Sequence, residues 1–400
     1  MSRPRALISG AGIAGPALAH QLTQRGWQTT VVERFPERRD EGHNIDVRGA
    51  ARDVVRRMGI DEDIRAANTT EVGMRFVRAD GSAAVSFPMG EPGTDGPTAE
   101  LEILRGELSR ILIEHTRHDT DYRFDTQIQS LVDDSDHITA TLQDGSSIEA
   151  DLVVVAEGLR SRTRDLVMPL QVTDLGMYVA YLTIDRDDTD DRWWNWQQAP
   201  GSRAIHLRPD NLGTTRAMLS FMSDVKGLED LGRDDQIAIL RRTFADAGGA
   251  AARILAQLDD APMYFDALGQ VRTSRWSKGR VALLGDAAFC PSPVGGGGSS
   301  LALIGAYVLA GEVSQSADCR VGLARYEQFM RPHVAAAQHV RPAVLRLANP
   351  RTEAGIRALH TGARLVASPP VRTAMSLAGK VFGGSAVEKI ALPTYPVNSV

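Results

Sequence analysis

The chain has 400 residues, more than one domain usually holds, so two packed domains or a single domain with a large insertion are expected. Its 43% hydrophobic and 24% charged residues are ordinary for a globular protein, and a net charge of -5 supplies no basic field for nucleic acid. Only two cysteines occur, Cys290 and Cys319, without CxxC or metal-ligand spacing, which excludes a disulfide framework and a zinc site built from them alone.

At the N-terminus, residues 6–9 read as a short apolar strand that passes straight into "GAGIAG", so neither a signal peptide nor a membrane span is expected there. The following "PALAHQLTQRG" has Leu18 and Leu22 at helical spacing and ends at Gly26. A second strand, "QTTVVER", completes a βαβ unit. Amphipathic helices are predicted for "DVRGAARDVVRRMGI" and "GELSRILIEHTR". Hairpins are predicted where alternating runs meet at Asp80-Gly81 and at Asp144-Gly145, the second pair ending in the buried-strand run "LVVVA".

From about residue 170 to 273 the texture turns β-rich, with "MYVAYLTID", "RAIHLRP" and "TTRAMLSFMS" around one helical pattern, "DDQIAILRRTFADAG". This reads as an antiparallel sheet forming a second layer. At "GRVALLGDAA" a strand leading into a glycine turn resumes the earlier style, so the first domain is expected to be discontinuous. The expected division is 1–70, 98–170 and 275–320 for the nucleotide-binding domain, 71–97 and 171–274 for an inserted substrate-binding β domain, and 321–400 for a helical tail. Pro332, Pro342 and Pro369-Pro370 are expected to punctuate that tail.

Gly10, Gly12, Ile13, Ala14 and Gly15 form a GxGxxG turn that follows a strand and opens a helix, with Glu33 at the end of the next strand. Gly10 permits the tight turn, Gly12 lets the backbone approach a pyrophosphate, and Gly15 lets helix and strand pack closely. Glu33 can accept hydrogen bonds from a ribose and would repel a 2'-phosphate, so the bound dinucleotide is expected to be FAD or NAD rather than NADP. Arg34 beside it is either a surface charge or a neighbour of the adenine.

A second glycine turn lies in "GDAAFCPSPVGGGGSSLALIGAY". A strand "RVALLGD", an Asp, then proline and glycines opening a helix, in the last third of a chain that begins with GxGxxG, resembles the FAD-dependent aromatic hydroxylases, the class A flavoprotein monooxygenases. The likeness spans residues 5 to about 330, and the chain resembles the group that includes tetracycline-inactivating and natural-product tailoring monooxygenases.

The resemblance implies an α/β fold, with a discontinuous Rossmann-like FAD-binding domain, an inserted β-sheet substrate domain and C-terminal helices. It implies that Asp286 bonds a ribityl hydroxyl, and that Pro293 with Gly295, Gly296, Gly297, Gly298 and Ser299 faces the flavin pyrimidine. Arg105 matches an arginine between the pyrophosphate and flavin ends, a helix-start salt bridge being the alternative. Glu157 and Gly158 stand where the family carries Asp-Gly against the flavin. Phe289 stands where the family usually has His, and Gly305 where an Asp often follows the turn.

Bound FAD, a transient NADPH or NADH reductant, and O2 are implied, with hydroxylation of an aromatic or polycyclic substrate through a flavin C4a-hydroperoxide. Alternatives are Baeyer-Villiger oxygen insertion on the same scaffold and a non-catalytic FAD-binding protein. A cytoplasmic monomer or homodimer is expected, without nucleic-acid, membrane or metal partners.

Smaller signals refine this. Trp194-Asn195-Trp196 resembles part of the WxWxIP signature of flavin-dependent halogenases, but Gln198 and Ala199 precede Pro200, and the first lysine is Lys226. Tyr178, Tyr181, Trp194, Trp196 and Pro293 are therefore candidates for the substrate cavity, packing within the β domain being the alternative for the aromatic residues. Cys290 reads as buried filler. No side chain declares itself as a general base, and Asp46 and Arg48 are the catalytic candidates, as a gate at the flavin edge or as a plain helix cap before Gly49.

Overall fold

A computed structural model describes residues 3–40, 42–89, 101–134, 136–291, 297–338, 342–368 and 390–396. The strand Arg5–Ser9 is apolar on both faces and lies inside a six-stranded sheet. In order, that sheet holds Ser277–Lys278, Val281–Leu283, Leu152–Val155, Arg5–Ser9, Gln28–Val32 and Thr120–Arg123. Every pairing is parallel except the short edge pair Ser277–Lys278 with Val281–Leu283. Buried parallel strands read as continuous apolar runs, which is why "LVVVA" was legible as a strand. The distant segments around residues 153 and 282 are adjacent because Val153 pairs with Val281.

The helix Ala14–Thr23 follows the first strand directly and packs beside the almost wholly buried helix Gly298–Ser314. Gly311 makes room there for Tyr395, whose ring would lie 2.2 Å from a Cβ at that position. The helix Ala50–Met58 begins after Gly49, four residues later than the sequence pattern began, since Gly49 has φ 52° and breaks the run.

Gly73–Val77 and Ala83–Pro88 form the expected hairpin, and so do Ile138–Leu142 and Ser147–Ala150. The first hairpin joins a seven-stranded sheet whose other strands, in order from the far edge, are Met263–Gln270, Thr173–Asp185, Thr214–Met222, Arg203–Pro209 and Trp194–Ala199. This sheet is antiparallel apart from Trp194–Ala199, which runs parallel to Gly73–Val77 because the hairpin arrives from an earlier part of the chain. The helices Arg233–Phe244 and Ala251–Ala256 cover one of its faces. The other face turns toward the parallel-sheet unit on one side, where His43 stacks on Tyr181 and the Asn44 amide donates to the Pro209 carbonyl at 3.1 Å, and toward the helix Glu353–Ala367 on the other, where His360 stacks on Phe76.

The tail holds the helices Cys319–Ala337, Pro342–Ala348 and Glu353–Ala367. Pro332 does not interrupt the first of these, contrary to the sequence expectation, because buried Leu323, Tyr326, Met330 and Val334 hold one continuous stripe against the core. Pro342 opens the second helix, where its missing N–H costs nothing. Pro369-Pro370 and residues 90–97 lie outside the described residues. Among the described residues, no helix is long and apolar enough to cross a membrane.

Candidate active site

The first glycine turn is built by crowding. A Cβ on Gly10, which has φ +112°, would lie 2.5 Å from the Ala156 carbonyl oxygen, and one on Gly15 would lie 1.9 Å from the Gly10 oxygen. Gly12 differs, since a Cβ there would meet only the guanidinium of Arg105, at 3.4 Å. The space beside Gly12 is thus left open by the protein itself. Behind it, the helix Ala14–Thr23 starts at Ile13 with no side-chain cap and no acid in its first turn, so its free N–H groups and positive end are available to an anion. Glu33 stands at the lip, accepting the Ala11 N–H at 2.9 Å and the Phe35 N–H at 3.2 Å. Arg34 is exposed, with its guanidinium over the Phe35 ring.

The second turn arrives beside the first through the pairing of residues 153 and 281. Gly285, at φ 63°, bends the chain into Asp286. The Asp286 side chain is reached by solvent yet walled in by protein, as on the floor of a cleft, and this enclosure raises its pKa against the opposing pull of Arg105. A Cβ on Gly298 would lie 3.7 Å from Asp286 Oδ1, so the helix Gly298–Ser314 begins at the same point, again without a side-chain cap. Ser299 lies partly exposed in its first turn. Pro293, Gly295 and Gly296 lie outside the described residues.

Arg105 is enclosed enough that burial lowers its pKa, yet its guanidinium makes no hydrogen bond or ion pair with a described residue. A structural helix-start salt bridge is not what holds it. An enclosed cation, two uncapped helix starts and two carboxylates at the cleft floor and lip form a donor and acceptor set that fits a dinucleotide, with diphosphate near Gly12 and Arg105 and hydroxyls near Glu33 and Asp286.

Glu157 departs from the expectation that it faces a flavin. It accepts hydrogen bonds from the Ser9 hydroxyl, the Ser161 hydroxyl at 2.8 Å, and both the hydroxyl and the backbone N–H of Thr163, the last at 3.0 Å. Those four bonds use the acceptor positions of a carboxylate. Burial pushes the Glu157 pKa up, but the bonds from Ser9, Thr163 and Ser161 outweigh it and leave the net shift downward. The longer side chain thus reaches into the strand-helix junction and caps it. Gly158 follows with φ +79° and open space around its α-carbon.

Asp46 and Arg48 pair with each other at 2.7 Å and leave the helix Ala50–Met58 without a side-chain cap, which removes the plain-cap reading. Ser300 ties this loop to the second turn, accepting the Arg48 N–H at 2.9 Å and donating to the Asp46 carbonyl at 3.1 Å. Cys290 is buried and its thiol donates to the Gly269 carbonyl at 3.5 Å.

The aromatic candidates divide by strand parity. Tyr178 is a correction: it points to the helix-covered face, 1% exposed between Phe221 and Phe265, with its hydroxyl on the Val225 carbonyl at 2.9 Å. Tyr181 points to the opposite face. There Tyr264, Tyr181, Met218, His206, Trp196 and Phe76 stand directly opposite one another across six neighbouring strands. Trp194 stacks beside Trp196 at 5.8 Å and donates from Nε1 to His206 Nδ1 at 3.0 Å. The sequence reading missed Tyr264, Met218, His206 and Arg208 on this wall, and His43, which stacks on Tyr181 from the facing unit. Alternation within "RAIHLRP" placed His206 and Arg208 on one face, but only strand register reveals which face it is.

Comparison with known proteins agrees with this geometry. Residues 4–339 match the family described as FAD binding domain. The flavin-dependent monooxygenase eupH of Phoma sp is 34% identical over 394 residues, covering 90% of this chain and 91% of its own. A flavin-dependent monooxygenase from an unknown prokaryotic organism is 37% identical over 338 residues, covering 83% of this chain and 87% of its own. The crystal structure of tetracycline destructase Tet(51) shares the fold with a TM-score of 0.82 at 30% identity, covering 98% of this chain and 100% of that one. With one uncapped helix start beside Arg105 and another beside Asp286, and with these relatives along nearly its whole length, the chain belongs to the FAD-binding, class A flavin-dependent monooxygenases of the aromatic-hydroxylase type.

Proposed function

We propose that this monooxygenase takes electrons from NADPH or NADH and places one atom of O2 on an aromatic or polycyclic small molecule, the other oxygen leaving as water. The observation that carries this reading is the wall of Tyr264, Tyr181, Met218, His206 and Trp196 on the sheet face turned toward the two glycine turns. Flat rings bury well against such a wall. FAD, when bound, supplies the redox chemistry and the activation of O2.

The remaining work belongs to the chain. Gly12 and the start of the helix Ala14–Thr23 receive the pyrophosphate, and Arg105 balances its charge. Glu33 accepts a ribose hydroxyl and Asp286 a ribityl hydroxyl. The N–H groups of Gly297, Gly298 and Ser299 and the positive end of their helix stabilise negative charge on the pyrimidine side. The sheet wall and the loop carrying Asp46 and Arg48 exclude water from the reacting face. Residues 1–70, 98–170 and 275–320 then form the FAD-binding domain, 71–97 and 171–274 the substrate domain, and 321–400 the C-terminal helical segment.

The test is steady-state oxidation of NADPH and NADH by FAD-loaded protein with a panel of polyphenols and polyketides. Substrate-stimulated oxidation coupled to a product carrying one added oxygen supports the reading. Oxidation that no aromatic compound stimulates, with all reducing equivalents lost as hydrogen peroxide, counts against it.

A further inference from the structure

The aromatic wall has a second property that bears on what it will accept, namely the way charges are paired behind it. Arg208 lies over the Trp194 ring, 4.2 Å from its centroid, and would be the natural anchor for a substrate anion. It is already taken. Its guanidinium donates to Glu71 at 2.8 Å and also to Glu102. Arg216, opposite Arg208 on the next strand, donates to Asp210 at 3.0 Å. Arg48 is held by Asp46 at 2.7 Å.

Glu71, Glu102, Asp210 and Asp46 therefore face Arg208, Arg216 and Arg48, so each of the three guanidinium groups has an acidic partner. The Asn44 amide, at 2.8 Å, and the Thr69 hydroxyl complete the shell of Glu102. Burial raises the Glu71 pKa to about 8, against Arg208 and with help from Glu102, so at neutral pH Glu71 mostly keeps its proton and the charge of Arg208 is met from Glu102; burial likewise raises the pKa of Asp46.

The two histidines on this wall add no positive charge. His206 uses Nδ1 to accept the Trp194 N–H, and burial lowers the pKa values of His43 and His206 to about 3. Arg105 stands at the cofactor end, beside Gly12, and Arg39 covers Tyr264 at the edge of the row.

A carboxylate or sulfonate entering this site would lose its hydration and find its obvious partner, Arg208, already paired with Glu102 and hydrogen-bonded to Glu71. An uncharged ring system gives up only apolar hydration and gains stacking. The row from Tyr264 to His206 crosses four strands, about 14 Å at the usual strand spacing, which exceeds a single ring. We infer that the site selects a flat, uncharged, multi-ring substrate, and that Glu102 sets this selectivity by neutralising Arg208. The inference rests on the reading of this sheet face as the substrate wall.

The test uses FAD-loaded enzyme and equilibrium dialysis at neutral pH with two probes of one ring skeleton: quinizarin, an uncharged dihydroxyanthraquinone, and the ionised anthraquinone carboxylic acid. Quinizarin is expected to bind at least about tenfold more tightly, a difference of about 1.4 kcal/mol. In Glu102→Gln, which withdraws the carboxylate from Arg208 and keeps a hydrogen-bonding side chain, the ratio is expected to shrink severalfold because the anion binds better. Equal or tighter binding of the carboxylate by the wild type overturns the selectivity while leaving the substrate wall in place. An unchanged ratio in folded, FAD-loaded Glu102→Gln overturns the assignment to Glu102. Binding of neither probe by protein that retains FAD overturns the reading of the wall, and the inference with it.

Discussion

His43 and Tyr181 stack with ring centroids 4.6 Å apart and planes 18° from parallel, which pins a loop of the parallel-sheet unit to the second sheet, on the strand next to its edge. Since burial keeps His43 neutral, the contact is a ring stack without charge. Such pairs contribute about 0.5–1.5 kcal/mol beyond area burial. His43→Ala should therefore lower Tm by a few degrees, while His43→Phe should stay close to the wild type. Equal losses in both variants, measured by thermal unfolding, would show that the ring contact does not hold the two sheets together.

Gly12→Val tests the first turn in a way that separates folding from cofactor binding. A side chain at this position meets only the far end of Arg105, so the protein should fold with near-normal Tm in the absence of FAD. The same side chain fills the space assigned to the pyrophosphate, so the purified variant should be colourless. A yellow, fully loaded variant would move the pyrophosphate elsewhere.

Asp286→Ala should weaken FAD retention by about 1–3 kcal/mol, the cost of removing one buried hydrogen-bond partner. Absorbance after exhaustive dialysis measures it, and retention equal to that of wild type would remove Asp286 from the cofactor site.

Glu157→Ala should cost stability rather than cofactor specificity, because it leaves Ser9, Ser161 and Thr163 without their shared acceptor. About 2–4 kcal/mol is expected at neutral pH, read from urea unfolding. The net downward pKa shift of Glu157 means its stabilisation is present above the unfolded-state carboxylate pKa and disappears as pH falls through the lower folded-state value. The difference between wild type and variant should thus narrow on strong acidification. A constant difference down to acid pH would contradict the ionised cap.

Much of the first unit was legible because its signals are local. A strand, GxGxxG and a helix follow one another in residues 5–23, and the glycines are forced by backbone contacts that any such turn must make. Glu157 misled because sequence position places its backbone, while the direction of a longer side chain depends on Ser9, which lies 148 residues away. Tyr178 and Tyr181 differ in fate by three residues on one strand. Parity says they face opposite ways, but only the packing of the helices Arg233–Phe244 and Ala251–Ala256 decides which face is sealed. Arg208 was invisible as a site residue for the same reason, since its partners Glu71 and Glu102 come from remote parts of the chain.

His206 gives the acid limb of stability a specific contributor. Its folded-state pKa of about 3 lies below the usual 6.5, so the stability tied to the neutral ring is present above pH 6.5 and is lost as pH falls toward the folded value. His206→Gln keeps an acceptor for the Trp194 N–H and does not titrate. Its Tm should decline less than that of wild type between pH 6.5 and about 4. Parallel curves would show that His206 is not held neutral.

The central claim is that this chain places one oxygen atom from O2 on an aromatic ring system. Turnover of a stimulating substrate under isotopically heavy dioxygen in ordinary water, followed by mass spectrometry, tests it most directly. The product should carry one heavy oxygen atom per molecule, with NADPH or NADH consumed in equal amount. A product whose added oxygen comes from water, or NAD(P)H consumed with no oxygenated product from any compound that binds, would contradict it.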